Sequence, residues 1–510
     1  MKSKKHILII CLIFFFANIT FSQSSQKQIQ KIDSLFTSWR VPNHPGGSVL
    51  ISKEGKTIFS KSYGLANIEF NIPNTNNTLF NIGSISKQFT AMGIVLFEEQ
   101  NKLSFNDDIK KYIPELPDFG VTITIRHLLH HTSGLRDIHG LLGLAGWKSE
   151  DLETNDDLYR IIKNQKELNF NPGEEFLYCN TGYILLAKII ENISQLKFDQ
   201  WMKLNVFQPL GMKNTYVETS VYNIIPNNAT SYYSRKEFKR AIEYWGYFGS
   251  GNMHSTIEDI NIWLQNFSTP QNNWESAFNK LLLTTPLNNG FETNYGFGIR
   301  IDDHKGKKVV QHGGSVGGFR SIVRTFTEEH LNIIILSNFS GSNIGFKVNK
   351  ISEIILGNNK KTRINGITEK LPKPNNFIKL SDKTLKKFQG VYWSDEEKTG
   401  RKIYVKNDTL RYSNSNTNEW PLVPIGKNTF RMEKSTVKFN SNTHQMIIES
   451  ENNLPGVFTF LQSNLDKNTN DLNMLVGNYY SQELKAIYSI SIDDKSNIYL
   501  EHARHGTIKL

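Results

Sequence analysis

Strand-like and helix-like segments follow one another from about Lys27 to Gly357 without a regular strand–helix beat, and no feature of the sequence constrains the fold more. A parallel sheet needs a crossover, usually a helix, between neighbouring strands, so the irregular order argues for an α+β arrangement. The first strands, in GGSVLISKEGKTIFSKSYG, read as a hairpin turning at Glu54-Gly55. Helical periods run over residues 86–100 and 183–193. In LGNNKKTRINGITEKLPKPNN the chain turns polar, punctuated by Pro and Gly, which predicts a linker over 358–380. Short alternating strands follow in KIYVKNDTLRYS, NTFRMEKSTVKFN and GVFTFLQ, and predict an antiparallel all-β region over 381–465, a barrel or a sandwich.

At 510 residues the chain exceeds what one core supports, so several domains are expected. A basic start (Lys2, Lys4, Lys5), an apolar run from Ile7 to Phe16 and a small or polar close, ANITFSQ, have the layout of a cleaved secretory signal over 1–22. No other segment approaches the twenty or so apolar residues of a membrane span, so the mature chain is expected to be exported, periplasmic or secreted, without a transmembrane segment. Cys11 follows Ile10 rather than a small residue, which makes lipid attachment the weaker reading. Cleavage after residue 22 leaves Cys179 without a partner, so stability must come from packing rather than a disulfide. The formal charge is +11, and from Lys360 onward 23 Lys and Arg stand against 16 Asp and Glu. These charges are scattered among Asn, Ser and acidic residues, which suits a solvated surface or an anionic envelope polymer better than a nucleic-acid groove.

The β region contains an internal echo. FQGVYWSDE, from Phe388 to Glu396, returns 87 residues later as LVGNYYSQE, from Leu475 to Glu483. The first copy runs for about 75 residues, whereas only 34 remain from Gly477 to Leu510. Residues 472–510 thus read as the start of a second β unit, which either completes something in trans or is cut short. The sequence leaves both open.

Ser84-Ile85-Ser86-Lys87 sets a hydroxyl and an amine three residues apart at a helix start. Neighbours at that spacing share a helix face, and a serine hydroxyl becomes nucleophilic when an adjacent base takes its proton. Lys87 can be that base if burial or another cation lowers its pKa. The pair is weak alone, because Ser24/Lys27, Ser194/Lys197 and Ser435/Lys438 match it too. Tyr178-Cys179-Asn180 precedes a second helical period and adds a phenol for proton relay and an amide for orienting a substrate. Taken alone these read as readily as a buried tyrosine and a helix cap. His312-Gly313-Gly314-Ser315 ends an apolar strand, where glycines let a ligand or another backbone approach, the Ser315 N–H faces it and His312 supplies a proton-responsive group.

The order Ser-x-x-Lys, Tyr-x-Asn 94 residues on and His-x-Gly 134 further on resembles the serine β-lactamase and penicillin-binding-protein superfamily. The similarity is to its class C β-lactamase-like branch, which includes D-alanyl-D-alanine carboxypeptidases, D-aminopeptidases and esterases. KLSFNDDIKKYIPELP, ITIRHLLHHTSGL, FQPLGMKNT, GSGNMHSTIEDINIW and NYGFGI carry it through the segment from about Lys27 to Gly357. It implies an α+β β-lactamase/transpeptidase-like domain over 23–357, with an antiparallel sheet flanked by helices plus a helical subdomain, followed by the barrel-like C-terminal region. It further implies Ser84 as the acylated nucleophile, Lys87 as its activator and Tyr178 as general base and leaving-group donor. Asn180, His312, Gly314 and Ser315 would bind substrate, the oxyanion lying between the N–H groups of Ser84 and Ser315.

His312 stands where many relatives carry lysine. Losing that fixed charge disfavours a dedicated β-lactamase and favours a peptidase or esterase acting on small amides, esters or D-amino-acid-containing substrates. A β-lactamase or penicillin-binding enzyme is the alternative, and a non-catalytic envelope-binding protein the second. The implied partner is a small-molecule or peptide substrate, with no metal or organic cofactor. His127, His130 and His131 look metal-like by density but lack a carboxylate at metalloprotease spacing. Cys179 reads as a small packing residue rather than a second nucleophile.

Overall fold

A computed structural model describes residues 26–148, 150–233, 237–242, 245–357, 378, 380–394, 399–414, 419–433, 435–441, 443–449, 456–461 and 472–509. The expected signal segment and nearly all of the expected linker lie outside them. By its contacts the chain forms two units, one of residues up to 362 together with 477–493 and 497–510, the other mainly 363–476.

The first unit is built on a six-stranded sheet in the order Arg300–Asp303, Lys308–Val316, Phe319–Phe326, Leu331–Ser337, Gly47–Lys53, Lys56–Tyr63. Every pairing in it is antiparallel, which fits the irregular strand–helix order. The hairpin turns at Glu54 and Gly55, both at positive φ (51° and 74°), the geometry that matches the right-handed twist of the strands. Alternation sorts the sheet's apolar residues onto two faces. Leu331, Ile333 and Ile335 pack with Val49, Ile51, Phe36, Trp39 and the helix Ile344–Leu356. Ile334 and Leu336 face the other way, into the larger core. The strand Leu331–Ser337 is therefore buried throughout.

That larger core centres on the helix Ser86–Glu99, entered through a single 3-10 turn at Gly83–Ile85. The sequence suggested an amphipathic helix, but every residue from Ser86 to Phe97 is buried. The helices Asn180–Ser194 and Glu275–Leu281 and the segment Lys203–Phe207 pack around it, so up to Phe97 no face is left for water. Among the described residues no helix is long and apolar enough to cross a membrane.

The second unit is a closed eight-stranded antiparallel barrel, from Gly390–Ser394 to Gly456–Phe460. Its interior is filled by Tyr392, Ile403, Leu410, Tyr412, Leu422, Phe430, Val437, Met446 and Phe458. The two copies of the echo are used differently: the first opens this barrel, and the second opens a separate four-stranded sheet of Gly477–Ser481, Ala486–Ile492, Ile498–His502 and Gly506–Lys509.

Burial on both faces makes the central strand the most sensitive to truncation. Ile335→Ala is expected to cost about 3 kcal/mol, whereas Ile58→Ala, at a side chain 41 % exposed on the edge strand, should stay within about 0.5 kcal/mol. Urea unfolding of the two variants checks the contrast.

Candidate active site

Two backbone segments are pressed together to form the floor of the site. A Cβ added to Gly83 would stand 2.7 Å from the Ser315 nitrogen, and one on Gly314 would stand 1.9 Å from the Ile82 oxygen. The Ser321 hydroxyl also donates to the Ile82 carbonyl (2.7 Å). The turn bearing Ser84 therefore lies flush against the strand edge bearing Ser315. The glycines here were expected to admit a ligand or another backbone; at Gly314 it is the neighbouring backbone, because its inward position on the strand faces Ile82. Ser84 and Ser315 line one cavity of about 250 Å³ together with His139, Asn180, Tyr247 and Ser250. A second cavity of about 320 Å³ shares Asn252 and Val316 with it.

Lys87 is the centre of the polar arrangement. Its side chain is fully buried, and Nζ donates to Ser84 Oγ (3.2 Å), Asn180 Oδ1 (2.9 Å) and the Ser250 carbonyl (2.7 Å). Burial lowers its pKa to about 7, against the opposing pull of Asp137. A neutral amine keeps two N–H bonds and one lone pair. The Ser250 carbonyl and Asn180 Oδ1 can only accept, so both N–H bonds go to them and the lone pair is left for the Ser84 hydroxyl. The amide orientation is fixed from its other end, where Asp137 Oδ2 accepts from Asn180 Nδ2 (3.0 Å) and from the Asn180 backbone N–H (2.5 Å).

Tyr178 lies with Lys87 Nζ 4.8 Å from its ring centroid. Its Oη is buried and, among the described residues, meets no group in good hydrogen-bond geometry, the Ser84 hydroxyl included. Burial raises its pKa, an effect the nearby Ser84 hydroxyl only partly offsets, so the phenol stays protonated at neutral pH. The His131 ring lies tilted beside it, centroids 4.3 Å apart, and receives the Cys179 backbone N–H on Nδ1 (3.1 Å). Cys179 is packed away, its thiol donating to the Leu135 carbonyl (3.3 Å) and its pKa pushed up to about 12 by burial.

His312 differs from its expected role. Its ring is only 6 % exposed, outside the cavity lining, on the inward side of its strand behind Tyr178. Nδ1 donates to the Gly313 carbonyl (2.6 Å), so Nε2 accepts from the Tyr295 hydroxyl (3.0 Å). Burial, then the neighbouring Lys87, lowers its pKa to about 3. It is neither substrate-facing nor proton-responsive near neutral pH, because both ring nitrogens are spent inside the protein.

The metal-like histidines also have internal uses. His127 closes a capping box with Thr124, and His130 spans the Tyr295 carbonyl (3.0 Å) and the Thr285 hydroxyl (2.9 Å). Among the described residues no group of His, Cys, Asp or Glu is arranged to hold a metal. Of the other Ser-x-x-Lys matches, the Ser194 hydroxyl bonds the Ile190 carbonyl and Lys438 pairs with Glu449. The sequence reading missed Asp137 and Ser250. Asp137 precedes a helix and reads as a cap, which it also is, through Oδ1 and the His139 N–H (3.0 Å). Ser250 acts through a backbone carbonyl, which leaves no mark in residue type.

The fold and the site define a β-lactamase-type serine hydrolase. The β-lactamase family model matches residues 38–353, and the chain belongs to that family. It is 31 % identical over 337 residues to a penicillin-binding protein of Bacillus subtilis, covering 62 % of this chain and 72 % of that one. A D-aminopeptidase of Gluconobacter oxydans is 27 % identical over 299 residues, covering 58 % of this chain and 56 % of its own length. The octameric penicillin-binding protein homologue from Pyrococcus abyssi has the same fold, with a TM-score of 0.58 and 23 % identity over 84 % of this chain and all (100 %) of that one.

The buried neutral histidines make an acid-stability prediction. His312 has a folded pKa of about 3 against about 6.5 unfolded. Its contribution is therefore complete above pH 6.5 and is lost as pH falls toward 3, by about 2 kcal/mol at pH 5. Melting temperatures measured from pH 7 to 4 should fall less steeply for His312→Gln than for the parent protein.

Proposed function

We propose that this protein is an exported hydrolase that works by acyl transfer through Ser84, acting on small amides or esters, D-amino-acid-containing ones included. The observation that carries the reading is the buried Lys87 amine, which among the described residues bonds two oxygens that can only accept and one, the Ser84 hydroxyl, that can donate to its lone pair. Neutral Lys87 takes the hydroxyl proton as Ser84 Oγ bonds to the substrate carbonyl carbon. The carbonyl electron pair moves to oxygen, between the N–H groups of Ser84 and Ser315. As that pair returns, the bond to the leaving nitrogen or oxygen breaks. Tyr178, protonated and beside Lys87, gives its proton to the leaving atom and regains one from the Lys87 ammonium. Water then repeats the sequence on the ester, releasing the acid and restoring Ser84.

Asn180 has its carbonyl on Lys87 and one amide hydrogen on Asp137, so its second hydrogen is the one left for a substrate carbonyl. Similarity to the D-aminopeptidase supports a peptidase or esterase over a dedicated β-lactamase. The basic, apolar and polar layout of the first 22 residues supports export.

Intact-mass measurement after exposure to a panel of esters, D-amino-acid amides and β-lactams tests the reading. A covalent acyl mass should form on the parent protein and be absent from Ser84→Ala, whose melting temperature should be nearly unchanged. Labelling that survives Ser84→Ala would overturn the assignment. Tyr178→Phe should still acylate with an activated ester, which needs no leaving-group proton, and lose at least about 100-fold on an amide.

A further inference from the structure

The second copy of the echo sits beside the site. Within the first unit, Arg136 Nη1 donates to Glu483 Oε2 at 2.6 Å, with the two side chains 29 % and 24 % exposed. The same carboxylate oxygen accepts the Lys166 backbone N–H at 3.4 Å. Around this pair the four-stranded sheet grips the segment that follows Arg136. His505 Nε2 donates to the Gly143 carbonyl (2.7 Å), the Tyr488 hydroxyl to the Leu144 carbonyl, and Arg504 pairs with Asp151 (2.5 Å). Leu484 packs against the large core.

Arg136 is one residue from Asp137, and its carbonyl accepts the Thr181 hydroxyl (2.7 Å). Glu483 is thus linked through Arg136 to the Asp137 carboxylate, through Asp137 to Asn180, and through Asn180 Oδ1 to Lys87. Apart from the peptide bond that joins Arg136 to Asp137, each link is a hydrogen bond to a charged group, the kind that fixes direction as well as distance. Acylation is sensitive to displacements well below an ångström at groups of this kind.

We infer that the C-terminal four-stranded sheet braces the acyl-transfer site from outside its cavity and that Glu483 is a positioning residue, holding Asn180 against Lys87 through the Arg136-Asp137 corner. The inference rests on the acyl-transfer reading of Ser84. The turn between the paired strands Gly477–Ser481 and Ala486–Ile492 carries both Glu483 and Leu484.

The test uses the full chain and pre-steady-state acylation of Ser84 by 4-nitrophenyl acetate, with active sites counted by a fluorophosphonate probe. Glu483→Gln should lower the acylation rate per labelled site by about five- to tenfold with KM little changed. Glu483→Asp should recover part of the rate. Adding Arg136→Gln to Glu483→Gln should cost little more, as expected for two residues in one linkage. Tyr488→Phe, which removes a contact of the same sheet away from Arg136, should leave the rate per site unchanged. A Glu483→Gln rate per site equal to that of the parent overturns the inference, whatever happens to the melting temperature. A parent protein that takes no label at Ser84 sinks the acyl-transfer reading, and this inference with it.

Discussion

A lysine amine removed from water and surrounded by three oxygens is the interaction on which the rest of this structure depends. Burial alone would leave Lys87 a liability, since an uncompensated charge inside a protein is costly. Here the three oxygens accept from the ammonium, and the same burial brings its pKa to about 7, so both protonation states are accessible near neutrality. Two of the three oxygens cannot donate, and this decides where the lone pair points. The direction of proton transfer is therefore set by hydrogen-bond valence rather than by charge.

The surroundings read as what is needed to hold that geometry. The helix carrying Lys87 is buried on every side, so its axis cannot shift without opening the core. The turn carrying Ser84 is seated on the strand carrying Ser315 because Gly83 and Gly314 have no side chains to keep the backbones apart. Asp137 fixes the amide of Asn180, and Arg136 ties that corner to Glu483. Tyr178, His131, Tyr295 and His312 form a wall of rings behind the cavity, with the histidines neutral.

Much of this was legible in the sequence. Irregular alternation foretold an antiparallel sheet, turn chemistry foretold the first hairpin, and alternating short strands foretold a barrel or a sandwich, of which the barrel is found. Ser84, Lys87, Tyr178 and Asn180 are weak motifs taken singly and stood out through the resemblance of their joint order to the serine β-lactamase superfamily. What escaped did so for physical reasons. The Ser250 carbonyl belongs to every residue alike. Asp137 announces a helix cap, and its second task appears only when the chain brings Asn180 back to it. Glu483 lies 347 residues from Arg136, a distance no local pattern spans. His312 was read as facing substrate because the resemblance places it where relatives carry lysine; strand parity turns it inward, where Tyr295 and the Gly313 carbonyl hold both nitrogens.

The central claim is that the Lys87 amine is uncharged often enough near neutral pH to accept the Ser84 proton. Direct titration of that amine tests it, by following the Nζ resonance of Lys87 in isotope-labelled protein from pH 5 to 11, with the signal assigned by its loss in Lys87→Arg. The account predicts a midpoint at about 7. A midpoint near the 10.4 of an ordinary solvated lysine, or about that value, would mean that the amine is charged when Ser84 reacts, and would contradict it.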